Sequence, residues 1–126
     1  MPRILVVEDD ETIREMVATY LRLSGFTVEL AVDGIDALTK VRGTQPELII
    51  MDMGIPKLNG WQTTQRLRAR KETAQTPIIA LTAYALDEDR ERAFNVGCDA
   101  FESKPIDFNS LIGKIHTLLA RSNTPV

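Results

Sequence analysis

One cysteine, Cys98, and one histidine, His116, are all that this 126-residue chain has of either type. A lone cysteine excludes a disulfide framework and a Cys-based zinc site within one chain. A basic excess is missing as well: 15 Lys and Arg stand against 18 Asp and Glu, a formal charge of −3. That balance argues against direct nucleic-acid contact, which normally needs a basic surface. No apolar run approaches the length of a membrane span. The opening "MPRILVVEDD" has no charged-then-apolar leader, so a cytoplasmic location is expected. Internal repeats and low-complexity segments are lacking too. What remains is ordinary for a globular protein, 44% apolar and 26% charged, at a length suited to one core.

Short apolar runs alternate with helical patterns along the whole chain. The pattern predicts β1 over 3–7 (RILVV), β2 over 27–31, β3 over 47–52 (ELIIMD), β4 over 77–82 (PIIALT) and β5 over 99–103. Between them it predicts α1 over 11–25, α2 over 33–43, α3 over 60–70, α4 over 86–97 and α5 over 107–121, with Asp107 as the α5 N-cap. The inward residues are expected to include Ile13, Met16, Val17, Tyr20 and Leu21 of α1, and Ile35, Leu38 and Val41 of α2. In α4 they are Ala93, Phe94 and Val96; the run Arg66, Arg68, Arg70 reads as a solvated helix end. Residues 1–121 form one domain and 122–126 a flexible tail. Strict βα alternation with unbroken apolar strands implies a parallel sheet covered on both faces. With β1, β3 and β4 central and right-handed crossovers, the strand order is 2-1-3-4-5.

In such a sheet ligands bind beyond the carboxyl ends of the strands. Those ends carry Glu8, Asp9 and Asp10 after β1, Asp52 after β3, Thr82 after β4 and Lys104 after β5. Crowded carboxylates repel, and a hard divalent cation relieves them. Mg2+ (or Mn2+) takes one or two carboxylates, waters and phosphate oxygens. Lys104 and Thr82 suit the oxygens of a phosphoryl group. Asp52 then reads as a nucleophile that attacks phosphorus and forms an acyl phosphate, while Asp9 holds the metal with Glu8 alongside. Any one of these residues alone is usually a turn or a cap; their meeting on one edge is what carries the reading.

The motifs "ILVVEDD", "LIIMDMGIPKLNG", "PIIALTA" and "FESKPID" together resemble the receiver domain of two-component response regulators, the family of the bacterial chemotaxis regulator. The order 2-1-3-4-5 is that regulator's own. The resemblance covers nearly the whole chain and implies the flavodoxin-like (βα)5 sandwich of three layers. It implies Asp52 as the phospho-acceptor, with Asp9, Asp52 and the Gly54 backbone carbonyl as metal ligands and Glu8 acting through water. It implies Thr82 and Lys104 as the groups that sense the phosphoryl, Phe101 as the switch aromatic in place of the common tyrosine, and Gly54 and Tyr84 as positions that tune reaction rates. The Lys104-Pro105 bond is commonly cis in this family.

The function expected is a phosphorylation-dependent switch. A histidine kinase or histidine phosphotransfer protein donates the phosphoryl group, Thr82 moves, Phe101 turns inward, and a target reads the α4-β5-α5 face. Enzymatic activity beyond Mg2+-dependent self-phosphorylation and autodephosphorylation is not expected, nor is membrane contact, and the chain should be a monomer or weak dimer. The Met start and short tail fit a stand-alone regulator or an N-terminal receiver. A phosphatase of the haloacid dehalogenase type would need an acid where Gly54 stands. A flavin-binding flavodoxin-like module would need a phosphate cradle where "EDDETI" lies.

Overall fold

A computed structural model describes residues 1–83 and 86–122. Tyr84 and the tail beyond Ser122 lie outside the described residues. The chain runs β1 (Arg3–Val7), α1 (Glu11–Leu23), β2 (Thr27–Ala31), α2 (Gly34–Thr44), β3 (Leu48–Asp52), α3 (Gly60–Arg68), β4 (Ile78–Thr82), α4 (Asp87–Val96), β5 (Ala100–Ser103) and α5 (Phe108–Ser122). All four strand pairings are parallel and the order is 2-1-3-4-5, as the alternation predicted.

Successive residues of a strand face opposite sides, and that alternation builds two cores. Leu5, Val7, Ile49 and Met51 face one way and pack with Ala37, Leu38, Val41, Leu67 and Ala93 of α2, α3 and α4. Ile4, Val6, Leu48 and Ile50 face the other way and pack with Val17, Leu21, Leu111 and Ile115 of α1 and α5. Each fully buried Leu or Ile is worth about 1.5–3 kcal/mol. The helix starts are marked by short acceptors. Asp10 takes the amide of Ile13 at 2.9 Å and Asp33 that of Asp36 at 2.7 Å, while Asn59 and Gln62 form a reciprocal capping box. Asp107 takes the amide of Ser110 at 3.1 Å, as expected of an N-cap. α4 differs. Its N-cap is Leu86, which supplies no side-chain bond, and Ala93 is its one fully buried residue.

Three residues expected inside are exposed: Met16, Ile35 and Phe94. Each flanks the buried stripe of its helix, and a single layer on a sheet covers only a narrow stripe. Arg68 departs further from expectation. Its Nε donates to the Gly97 carbonyl at 2.9 Å, and one terminal nitrogen reaches the carbonyls of Thr73 at 2.9 Å and Thr76 at 2.7 Å. The other terminal nitrogen pairs with Asp99 at 2.8 Å. One guanidinium thus ties the α3–β4 turn to the end of α4 and the start of β5. Arg68→Met keeps the apolar stem and leaves those acceptors without their donor. It is expected to cost about 2–4 kcal/mol, read as a lower urea midpoint at unchanged slope.

Candidate functional site

The sheet register decides which side chains meet. Val7 is level with Met51, so the next residues, Glu8 and Asp52, come level at the end of adjacent central strands. Thr82 ends β4 level with Ser103, and Lys104 follows directly. The Lys104 amide donates to the Thr82 carbonyl at 2.8 Å, and the Lys104-Pro105 bond is cis. The Lys104 side chain turns back over the strand ends. Its Nζ lies 2.6 Å from Glu8 Oε1 and 3.2 Å from Asp52 Oδ2.

Glu8, Asp52 and Thr82 are buried, whereas Asp9 is exposed. Carboxylate oxygens of Glu8, Asp9 and Asp52 lie within 4.8 Å of one another. The Gly54 amide donates to Asp52 Oδ1 at 3.1 Å, which holds the acid's second oxygen toward the loop. Burial, and then the neighbouring Asp52, push the Glu8 carboxyl up from 4.5 to about 8; Lys104 pulls the other way and loses. Burial by itself would lower the Lys104 ammonium, but Glu8 and then Asp52 outweigh it and raise the value. Glu8 Oε1 is thus held by the Lys104 ammonium, while Glu8 Oε2 accepts from the Asp10 amide at 3.3 Å. Three carboxylates gathered so closely are a donor set for a hard cation or its water shell.

Over Asp52 opens a cleft of about 350 Å3, lined by Asp52, Met53, Gly54, Trp61, Thr82, Ala83, Asp89 and Lys104. Every described polar residue singled out from the sequence is therefore at one end of the sheet. Phe101 stands apart. Its ring is already buried in the core under α4, with the Arg90 guanidinium 5.5 Å from the ring centre. Sequence reasoning missed four participants. Arg14 bridges the carbonyls of Glu8 at 2.9 Å and Asp9 at 3.3 Å and so pins the β1–α1 loop. Arg92 lies 4.5 Å over the Trp61 ring, and Trp61 and Asp89 wall the cleft. Arg14 was findable, since its helical position points it back at the loop it follows. Trp61 and Asp89 come from two different helices, and nothing in the sequence joins them.

Cys98 is buried, with its thiol pushed up to about 11 by burial, and His116 is an exposed helix residue against Phe26. Neither reaches the cleft. Among the described residues, no helix is long and apolar enough to cross a membrane.

The family model of the response regulator receiver domain matches residues 4–116. The DNA-binding dual master transcriptional regulator RpaA of Synechocystis is 37% identical over 123 residues, 98% of this chain and 51% of that protein. The chain thus spans about half the length of the curated relatives it matches. A putative response regulator from Chloroflexus aurantiacus superposes with a TM-score of 0.91 at 30% identity, over 95% of this chain and 99% of that one. The receiver domain of the sensor histidine kinase PA1611 from Pseudomonas aeruginosa, with a magnesium ion coordinated in its active-site cleft, gives 0.88 at 33% identity, over 94% and 98%.

Proposed function

This chain belongs to the response regulator receiver domain family, whose members are phosphorylation-dependent switches of two-component signalling, and from that premise we propose that Asp52 is its phospho-acceptor. The observation that carries the assignment is the placement of Asp52. It is a buried carboxylate at the end of a central strand, 3.2 Å from a lysine and at the floor of the cleft. A phosphohistidine of a histidine kinase or phosphotransfer protein is the donor. An Asp52 oxygen forms the new O–P bond as the P–N bond breaks. Lys104 then transfers its charge from the carboxylates to the phosphoryl oxygens, and Thr82 donates its hydroxyl to them.

Asp9, Asp52 and the Gly54 carbonyl, with Glu8 through water, would hold Mg2+ or Mn2+, which neutralises charge in the transfer. The donors are all oxygens, as those ions prefer, and the three carboxylates lie within 4.8 Å of one another. Gly54 and Tyr84 are the proposed rate-tuning positions. Residues 1–121 are the receiver unit. A protein target reads the α4-β5-α5 face, and a net charge of −3 favours protein over nucleic acid as what this chain itself touches. A cytoplasmic monomer or weak dimer, with self-phosphorylation and autodephosphorylation as its only chemistry, fits these features. Incubation with a small-molecule phosphodonor tests the reading. Intact mass should rise by one phosphoryl group with Mg2+ and stay unchanged with a chelator; no uptake with Mg2+ removes the assignment.

Metal and proton compete at Glu8. A carboxyl raised to about 8 stabilises the metal-free fold fully below about pH 4.5, and that contribution is lost as pH rises toward 8. Metal should therefore stabilise more at about pH 8.5, where Glu8 is ionised, than at about pH 6. At ten to a hundred times Kd the gain should be roughly 1–3 kcal/mol. Thermal melts at both pH values, with and without Mg2+, measure it; equal gains at the two pH values remove Glu8 from the metal site.

Thr82 and Lys104 should fail differently. Lys104→Ala still accepts a phosphoryl group but responds weakly, because the charge that grips the oxygens is gone. Thr82→Ala is expected to separate phosphorylation from response. Phe101 is already buried, so the response is a re-seating of its ring with Arg90 and the sparsely anchored α4. Amide exchange over α4 and β5, compared at equal phosphorylation, reports it. The same exchange change in Thr82→Ala as in the parent would remove Thr82 from the route.

A further inference from the structure

The cleft over Asp52 is larger than a phosphoryl group requires. Its volume of about 350 Å3 is the share of roughly ten water molecules. Asp52, Thr82 and Lys104 supply the part that would meet a phosphoryl group. The rest of the lining is different in kind: the half-buried Trp61 indole with Met53 and Ala83 gives it an apolar wall, and Asp89 of α4 adds a carboxylate. Such a combination, a flat apolar surface with one placed polar group, is what ligand sites are made of. The wall is also held in place. Arg92 stacks on Trp61 at 4.5 Å, and the Asp89 amide donates to the Leu86 carbonyl at 3.0 Å in the first turn of α4.

In-line transfer puts the leaving group on the far side of phosphorus from the attacking oxygen. For a phosphohistidine donor that group is an imidazole, a flat ring that leaves best when its other nitrogen carries a proton. We propose that Trp61 and Asp89 form the leaving-group subsite, with the protonated imidazole ring of the donor against the indole and its N–H donated to the Asp89 carboxylate. This rests on Asp52 being the acceptor. Asp52 forms its O–P bond as the P–N bond breaks. The electron pair of that bond stays on the ring nitrogen. The proton on the second nitrogen remains there, so neutral imidazole departs and no co-reactant is needed. A carboxylate beside the ring favours the protonated form and hence the better leaving group. The same carboxylate works against acetyl phosphate, whose leaving group is an anion with no ring to stack.

Asp89 shares the acidic first turn of α4 with Asp87 and Glu88, which do not line the cleft. A helix-dipole role would be common to all three; a subsite role belongs to Asp89 alone. The test uses N-phosphoimidazole and acetyl phosphate as probes, with saturating Mg2+, and reads the initial rate of mass gain for each. The quantity of interest is the ratio of the two rates. Both rates come from one preparation, so a partly unfolded variant lowers both and leaves the ratio intact. Asp89→Asn is expected to lower the ratio about tenfold, the low end of what a charged cleft does for a charged ligand. Asp89→Glu should hold the ratio near the parent's, and Trp61→Leu should lower it through the imidazole probe alone. An unchanged ratio in Asp89→Asn overturns the subsite while Asp52 stays the acceptor. An equal fall in Asp87→Asn overturns it too, because general charge at the helix start would then be the cause. A parent inert to both probes overturns the acceptor reading and the subsite together.

Discussion

Asp52→Asn will take up no phosphoryl group from any donor, and without metal it will melt above the parent. The first outcome follows from nucleophilicity. An amide oxygen in place of the carboxylate cannot form the acyl phosphate, and the nearby acids are poor substitutes. Glu8 is tied to Lys104 and sits with its carboxyl raised to about 8, while Asp9 is exposed at the rim. The second outcome follows from the charges. Glu8 and Asp52 share Lys104 in a partly buried site with Asp9 close by, and Asp52 helps to raise the Glu8 carboxyl. Removing its charge lets Glu8 ionise more readily against Lys104. The gain should be about 1 kcal/mol, or roughly 3 °C in a domain of this size. It should shrink in acid, where the parent's Glu8 already carries its proton and the repulsion is absent. Intact mass after phosphodonor treatment and a melt near pH 8 measure the two effects. A stable phosphoryl group on the substituted protein would move the acceptor elsewhere.

Much of this was legible in the sequence because it depends on periods and ends. Unbroken runs such as "LIIMD" and "PIIALT" can only be strands covered on both faces, and alternation with helices fixes a parallel sheet. The strand ends then name Glu8, Asp52, Thr82 and Lys104 without further information. What was not legible depends on side chains crossing between elements. Arg68 reads as one more arginine at a helix end, yet it anchors three segments. Phe94 and Met16 sit at the margin of their helical stripes, where periodicity cannot say whether the neighbouring helix reaches over. Phe101 was read as the switch aromatic from the resemblance alone, and it lies apart from the cleft. Its burial under Arg90 was not foreseeable, since it depends on how α4, with a single fully buried residue, lies against the sheet.

Gly60→Ala should damage fold and site together, and more than any exposed change. Gly60 opens α3 directly above the end of β3, and its amide donates to the Met53 carbonyl at 3.0 Å. A Cβ there would stand 2.5 Å from Met53 Cα and 2.6 Å from the Asp52 carbonyl oxygen. Both are backbone atoms, so no rotamer change relieves the overlap. Either α3 lifts, breaking the Asn59–Gln62 capping box, or the end of β3 is pushed away and takes Asp52 with it. Overpacking of this kind costs about 3 kcal/mol, a large part of the 5–15 kcal/mol typical of a domain. A displacement near 1 Å at the acceptor can cost roughly a hundredfold in rate, so phosphorylation of the folded fraction should fall at least about tenfold. Gly54→Ala is the contrast. Its Cβ would meet Asp52 Oδ1 at 3.8 Å, ordinary contact, and the protein should stay folded. Gly113→Ala is the second contrast: nothing lies within 4 Å, and removing a helix-interior glycine should stabilise by up to about 1 kcal/mol. Urea midpoints and phosphorylation rates of the three variants separate the causes. A Gly60→Ala protein as stable and as reactive as the parent would mean that the close approach of α3 to β3 does not hold Asp52 in place, and the ion pair with Lys104 would have to position it alone.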